Sequence, residues 1–580
     1  MKMGKPVVMV SLLGLLYGSV TLGAEQPKAF VPVTDAMIEN PDPANWLMWR
    51  RTQNSWGYSP LKQIDKRNVN KLQLVWTRGI GPGVQEGTPL VYDGTMYFPH
   101  PSDLVQAMDA TTGDIKWEYR RKLPEDLGKF FPTPTTNRNL AIYDKLIIDT
   151  SSDDFAFALD AETGKIVWET KILDYQKGAQ QTSGPLIAKG KAISGRGCEP
   201  EGGPDACVIM AHDAKTGKEL WRTRTMPRPG EPGDASWGGL PDSARWHVGT
   251  WMVPSYDPEL NLVYVGTSVT SPAPKFALAG NDKEYLYHNS TLALNADTGK
   301  IVWYYQHLVD HWDLDHPYER LLVDTAVTPD KSEVTWINPR LKPGERRKVI
   351  TGIPGKTGVV YTLDRQTGEF LWARPTVYQN VVGNIDGATG KVTVNPETLM
   401  TGLGMSVLAC PSSNGGKNWP AGTYSPLTNT MYFPLRNTCS TVAAISEKPT
   451  LDSLYAIARK DAAVPGFSGN IGTVQAIAVE SGKAGWKFDH KEVPMSLIST
   501  GSGLLFGGDA EGHFRAFDQN TGKVLWEINL HSPVGGFPVT YTVNGKQYVA
   551  VSTGTTLGGS RAAGQGVAPP SVLYVFALPD

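Results

Sequence analysis

The sequence predicts an all-β fold, an eight-bladed β-propeller with tryptophan-docked blades, and three observations carry that prediction. One phrase recurs seven times: AMDATTGDIKW (107–117), ALDAETGKIVW (158–168), AHDAKTGKELW (211–221), ALNADTGKIVW (293–303), TLDRQTGEFLW (362–372), AIAVESGKAGW (476–486) and AFDQNTGKVLW (516–526). The composition, with 61 Gly and 43 Pro in 580 residues and almost no amphipathic helical run, suits many short strands joined by turns. Finally, a β-prone segment stands alone near each end of the chain, NVNKLQLVWT (68–77) and SVLYVFAL (571–578).

Taken in chain order, the first 24 residues stand apart. Lys2 and Lys5 precede an apolar stretch over 6–22, and Gly23-Ala24 then offers small residues before Glu25. That order predicts a cleaved secretory signal peptide over 1–24, too briefly apolar for stable membrane insertion. It places the mature protein, 25–580, in the periplasm. Segment 68–77 then supplies a strand carrying Trp76 without the Thr-Gly turn. Each of the seven repeats reads as a strand ending in a polar turn, a Thr/Ser-Gly pair, and a second strand ending in Trp. Gly provides the positive backbone angle the turn needs, and the polar residues ahead of it bond the local backbone. Such a unit cannot bury its own face and must stack on its neighbours.

Counting Trp76, eight tryptophans mark eight blades: Trp76, Trp117, Trp168, Trp221, Trp303, Trp372, Trp486 and Trp526. The intervals run from 40 residues (Trp486 to Trp526) to 114 (Trp372 to Trp486), and the long ones hold insertions that gather on one face in repeat proteins. Segment 571–578 is predicted to pair with 68–77, closing the ring and leaving no free sheet edge. The whole of 25–580 is thus one propeller.

Charge excludes one class of function. With 55 basic and 57 acidic residues and no Lys/Arg-dense tract, no nucleic-acid partner is expected. The four cysteines, Cys198, Cys207, Cys410 and Cys439, suit an oxidising compartment. Local pairing within each couple is the simplest of three possible connectivities. There is no Cys-x-x-Cys-His motif and no Cys/His cluster spaced for zinc, so an electron-transfer haem would belong to another protein.

The phrase A-x-D-x-x-T-G-K-x-x-W, the run QEGTPLV (85–91) and HWDLD (311–315) together resemble the quinoprotein alcohol dehydrogenases, which use pyrroloquinoline quinone (PQQ). The likeness covers essentially the whole mature chain. It looks nearest to the soluble sorbose- and sorbosone-dehydrogenase type on TGIPGKTG (351–358) and the terminal VLYVFALP. A flat quinone bearing three carboxylates needs cations, an aromatic floor, a metal and a base.

The resemblance implies a residue for each need. Asp313 falls where the family keeps its catalytic carboxylate, which takes the alcohol proton as hydride leaves the carbinol carbon. Asp315, two positions on, is expected to point the same way on an extended segment. An Asp-x-Asp pair resembles the lanthanide-holding branch of the family, although Ca²⁺ also takes several oxygen ligands. Glu199 matches the glutamate metal ligand. The family's usual Asn ligand is missing from GTSVTSPAP (266–274); Thr270 is the substitute, with Ser268 or a backbone carbonyl as alternatives. Lys356 sits where many relatives carry Arg and would stabilise the oxygens that turn anionic on reduction. Trp251 matches the tryptophan beneath the cofactor plane. Glu86, Arg138, Thr182, Asn418 and the neighbouring Trp419 match further cofactor contacts. Many relatives cover the opposite quinone face with adjacent cysteines, and FFPTPTTNR (130–138) has none. The spacing of Cys410 and Cys439 matches a structural disulfide of the family, and a Cys198–Cys207 bridge would restrain the backbone beside Glu199.

The expected function is therefore oxidation of a small-molecule alcohol (a polyol, sugar or bulky alcohol) with PQQ and Ca²⁺ or a lanthanide ion, a separate c-type cytochrome taking the electrons. Two alternatives remain at this stage. One is a non-catalytic envelope propeller scaffold, which has no need of Glu199, Asp313 and Lys356 in register. The other is an enzyme acting mainly on hydrated aldehydes, which offer the same O–H and C–H.

Overall fold

The computed structural model describes residues 1–4, 29–130, 136–198, 203–450, 453–556 and 569–579. Apart from residues 1–4, the expected signal segment lies outside them, as does Glu199. The chain divides into a short unit, Met1–Val31, and a large one, Pro32–Asp580.

The large unit is all-β. Among the described residues it holds eight sheets of four or five strands, with three smaller ones between them. The sheet nearest the termini combines both ends of the chain. Gln73–Gly79 pairs antiparallel with Val572–Ala577, which pairs onward with Lys546–Thr553 and then Val539–Val543. Trp76 stands opposite Val575 in that register. The remaining seven each include a repeat hairpin, as in Leu90–Tyr92, Thr95–His100, Leu104–Asp109, Ile115–Arg120.

One local device, an Asp or Asn side chain accepting from the turn, builds six of the seven hairpins; the seventh has Ala478 at that position. In the second repeat Asp160 Oδ1 accepts from the N–H groups of Glu162 and Thr163 and from the Thr163 hydroxyl, and Gly164 turns the chain at φ +70°. Asp213 and Asn295 do the same in their turns. The extra residue shifts the pairing by one: Ile166 faces Leu159 while Trp168 faces Ala158. That bulge recurs in all seven hairpins and twists the outer strand.

The bulge aims each Trp at the following repeat. Trp76, Trp117, Trp168 and Trp221 donate their indole N–H to the carbonyls of Ala110, Ala161, Ala214 and Ala296, at 3.3, 2.9, 3.2 and 3.0 Å. Trp486 donates likewise to Gln519 at 2.8 Å. The ring lies on the glycine of that next turn so closely that a Cβ on Gly217 would stand 2.4 Å from Trp168 Cε3. An additional copy of the turn, Asp386 with Thr389 and Gly390, caps the hairpin Val382–Ile385/Val392–Val394 and has no Trp of its own. Both disulfides form as spaced, Cys198–Cys207 and Cys410–Cys439.

Candidate active site

Between the strands Ile301–Gln306 and Leu321–Val327 the chain makes a buried loop, and Asp310 organises it. Its carboxylate accepts from the N–H groups of Trp312 and Leu314 and from Asn289 Nδ2. Trp312, fully buried, donates its indole N–H to the Thr398 carbonyl at 2.8 Å. The loop is a turn wound on Asp310 rather than the extended segment expected from Asp-x-Asp, and Asp313 itself sits at φ +70°.

The two carboxylates nevertheless converge on one cation. Lys356 Nζ lies 2.7 Å from Asp313 Oδ1 and 3.2 Å from Asp315 Oδ2. Lys356 is carried by the turn between Glu345–Gly352 and Val359–Asp364, and its own N–H donates to the Asp315 carbonyl at 2.8 Å. Gly355 is required beside it: a Cβ there would fall 2.3 Å from the His316 ring. Asp315 Oδ1 accepts the Val269 N–H at 2.9 Å, which fixes the Asp pair against the 266–274 segment. There the Thr270 hydroxyl donates to the Trp246 carbonyl, leaving its oxygen able to accept or ligate. Ser268 Oγ is already engaged by the Gly249 N–H and His247.

The same two side chains differ in character. Burial pushes the Asp313 carboxyl up to about 6 despite Lys356 and Arg459. Burial works on Asp315 too, but the Lys356 ammonium, the Val269 N–H and His247 outweigh it and hold its carboxyl below the usual range. Lys356 is held above its ordinary value, because its two carboxylates overcome its own burial. One acid is thus readier to carry a proton and one to stay anionic.

A second group of expected residues forms a continuous chain of contacts. Glu86 and Arg138, both buried, pair at 2.8 Å. Arg138 also donates to the Thr182 carbonyl and places its guanidinium 5.1 Å from the Trp251 ring centre. The Thr182 hydroxyl donates to the Trp251 carbonyl. Trp251 meets the ring of Tyr318 edge-on at 5.5 Å, and the Tyr318 hydroxyl donates to Asn418 Oδ1 at 2.9 Å. That same oxygen accepts the Trp419 N–H, and Trp419 packs on Phe537. Tyr318 joins the two groups: burial first, then the charges of Asp315 and Asp313, drives its hydroxyl well above the usual range.

Four residues of this neighbourhood have no signature in the sequence. They are Tyr318, the fully buried ion pair Lys417–Glu319 beneath its ring, and Arg459, whose Nη2 lies 2.8 Å from Asp313 Oδ2. None belongs to a repeat, and each acts across about a hundred residues of chain or more.

The chemistry of the set suits a planar, anionic group. Arg138 Nε, against Thr182 and Trp251, and the Gln181 Nε2 and Thr136 Oγ1 of neighbouring chain positions are buried without hydrogen-bond partners, donors in want of acceptors. For a metal, Asp313, Asp315 and Thr270 offer hard oxygen atoms. Among the described residues no three His, Cys, Asp or Glu side chains stand ready to share one ion.

Comparison with known proteins places these features in context. The family model described as "PQQ: Glucose/ethanol/alcohol dehydrogenase, beta-propeller domain" matches residues 46–384 and 468–549. The chain is 32% identical over 556 residues to the dehydrogenase subunit of alcohol dehydrogenase (quinone) from Gluconacetobacter polyoxogenes, covering 90% of this chain and 73% of the relative. It is likewise 32% identical over 551 residues to the lanthanide-dependent methanol dehydrogenase of Methylacidiphilum fumariolicum, covering 88% and 85%. Among solved structures, the quinohemoprotein alcohol dehydrogenase ADHIIG of Pseudomonas putida superposes with a TM-score of 0.83 at 28% identity, covering 95% of this chain and 83% of that one. A europium-containing methanol dehydrogenase gives 0.82 at 27% identity, covering 94% and 99%.

Proposed function

The chain belongs to the PQQ-dependent alcohol dehydrogenase family, and on that premise we propose that it oxidises primary or secondary alcohols to aldehydes or ketones. The observation that carries this reading is the buried cluster Asp313–Lys356–Asp315, whose carboxylates act electrostatically on the buried Tyr318 hydroxyl, Tyr318 in turn meeting the Arg138–Trp251 group. PQQ, when bound, supplies a two-electron hydride acceptor.

The chain's own residues have distinct duties. Asp313 takes the proton of the substrate hydroxyl, a task for which a carboxyl raised toward neutrality is suited. Lys356 keeps Asp313 aimed and would steady negative charge on the oxygens of the acceptor. Asp313, Asp315, Thr270 and Glu199 would hold the ion, Ca²⁺ or a lanthanide; two anionic Asp side chains together favour the trivalent choice. Arg138, paired with Glu86, would hold a carboxylate of the cofactor, Thr182, Asn418 and Trp419 would supply further contacts, and Trp251 would be its floor. The propeller is read as eight-bladed, each blade docked on the next through its Trp. The N-terminal pattern supports export to the periplasm, and no helix among the described residues is long and apolar enough to cross a membrane. With no Cys-x-x-Cys-His in this chain, a separate c-type cytochrome is proposed as electron acceptor.

Reconstitution tests the proposal. Purified apoprotein given PQQ with Ca²⁺ or a lanthanide should develop quinone absorbance and dye-linked oxidation of alcohols that depends on both additions. Bound PQQ without oxidation of any member of an alcohol panel would overturn it.

A further inference from the structure

Asp313 is held by two cations, and only one of them is deep. Lys356 grips Oδ1 from inside, its side chain 8% exposed; Arg459 grips Oδ2 from the outer side, 33% exposed. Arg459 comes from the strand Ile457–Ala462, part of a small sheet with Cys439–Ala444 and Ser406–Ala409. The Cys410–Cys439 disulfide ties that sheet together. The loop leading into the strand is also fastened to the segment just past Thr270: the Ser271 hydroxyl donates to the Leu454 carbonyl and the Ala273 N–H to that of Tyr455. Arg459 is therefore a fixed wall residue on the open side of the base, stacked near Tyr455 at 5.8 Å. Its guanidinium makes one hydrogen bond among the described residues, to Asp313, so most of its planar fork of donors is uncommitted.

Both Asp313 oxygens are thus occupied, Oδ1 by Lys356 within and Oδ2 by Arg459 on the exposed side. An alcohol hydroxyl approaching Oδ2 from that side meets Arg459 first and must take its place on that oxygen. A guanidinium fork matches a carboxylate bidentately, and exchanging one carboxylate partner for another leaves its charge paired throughout. We propose that Arg459 is the substrate-recognition residue of this site and binds the carboxylate of a hydroxy acid, releasing Asp313 Oδ2 to receive the hydroxyl proton. Because one side chain must reach both the substrate carboxylate and the neighbourhood of the base, the hydroxyl and carboxylate must be close. The substrate class is thus a 2- or 3-hydroxy carboxylate, oxidised to the corresponding oxo acid. This inference rests on the reading of Asp313 as the base of an alcohol dehydrogenase.

The test uses acids and their neutral isosteres on the reconstituted holoenzyme: lactate against lactamide, and 3-hydroxypropanoate against its amide, with propan-1-ol as reference. In the wild type, kcat/KM should favour the acid over the amide at least tenfold in one pair. Arg459→Gln should reduce that ratio at least tenfold, chiefly through the KM of the acid, and Arg459→Lys should restore part of it. Equal treatment of acid and amide by the wild type would overturn the inference even if the variants fail to fold. So would an acid-to-amide ratio unmoved in a folded Arg459→Gln. Either result with propan-1-ol still oxidised leaves the dehydrogenase reading standing; absence of oxidation of all five compounds by PQQ-loaded protein would count against that reading instead.

Discussion

Replacing Gly217 by Ala probes the contact on which the repeat architecture depends. Gly217 lies at φ +71°, and a Cβ there would stand 2.4 Å from Trp168 Cε3 and 2.7 Å from Cδ2. Two costs add. The left-handed backbone costs an L-residue roughly 1–2 kcal/mol. Forcing the indole aside in a packed interface costs about 1–3 kcal/mol more. Gly545 supplies the control, since it has φ +77° but no atom within 4 Å of its added Cβ, so Gly545→Ala should show the first cost alone. Trp168→Ala should lose about 3–5 kcal/mol through burial and cavity, with the indole bond to Ala214 adding about 1 kcal/mol. In the double variant the methyl introduced at position 217 has no ring to meet, so the combined loss should fall short of the sum by about 1–3 kcal/mol. Urea unfolding followed by far-ultraviolet circular dichroism measures all four corners without relying on tryptophan fluorescence. Additivity within about 0.5 kcal/mol, or equal losses for Gly217→Ala and Gly545→Ala, would refute the claim that Trp168 bears on Gly217.

Burial holds His100 and His212 down at about 4, so each stays neutral in the fold while its unfolded counterpart protonates near 6.5. Their contribution is complete above about pH 6.5 and is lost as pH falls toward 4, by up to roughly 3 kcal/mol each; His212→Leu should flatten the fall in unfolding free energy across that window, and an unchanged slope would contradict it. Asp313→Asn should cut kcat by at least about a hundredfold while quinone absorbance shows PQQ still bound, and near-normal turnover would remove Asp313 as the base. Asp315→Ala should weaken lanthanide-supported activity more than calcium-supported activity. Equal losses would mean that Asp315 serves only Lys356 and the Val269 N–H.

What the sequence disclosed and what it hid divide along a physical line. Six of the seven hairpins are legible because their cause is local: an Asp or Asn, a Thr and a Gly within six residues complete the turn by themselves, as at Asp160–Gly164. The same turn at Asp386–Gly390 escapes notice because no Trp follows it; it needs none, since Tyr305 donates to the Gly390 carbonyl instead. The resemblance picks out Asp313, Asp315 and Lys356, yet their geometry does not follow from spacing. Two-residue periodicity suggests an extended strand, whereas the shared grip of Lys356 comes from a turn wound on Asp310. Only the fold could reveal that Asp310 has no free capacity for chemistry: its oxygens are spent on Trp312, Leu314 and Asn289.

The contrast between Asp313 and Asp315 follows from the same distinction. Both are buried and both touch Lys356. Their further partners differ in kind: Asp315 holds the Val269 N–H, which a backbone cannot withdraw, whereas the additional partner of Asp313 is a side chain on a surface-facing strand. The Val269 amide keeps Asp315 paired in its anionic form, the form a metal ligand needs, while the second oxygen of Asp313 is held by a side chain that rotation can withdraw. The proposed sharing of roles, both Asp side chains toward the ion and Asp313 alone as base, rests on that difference in partners.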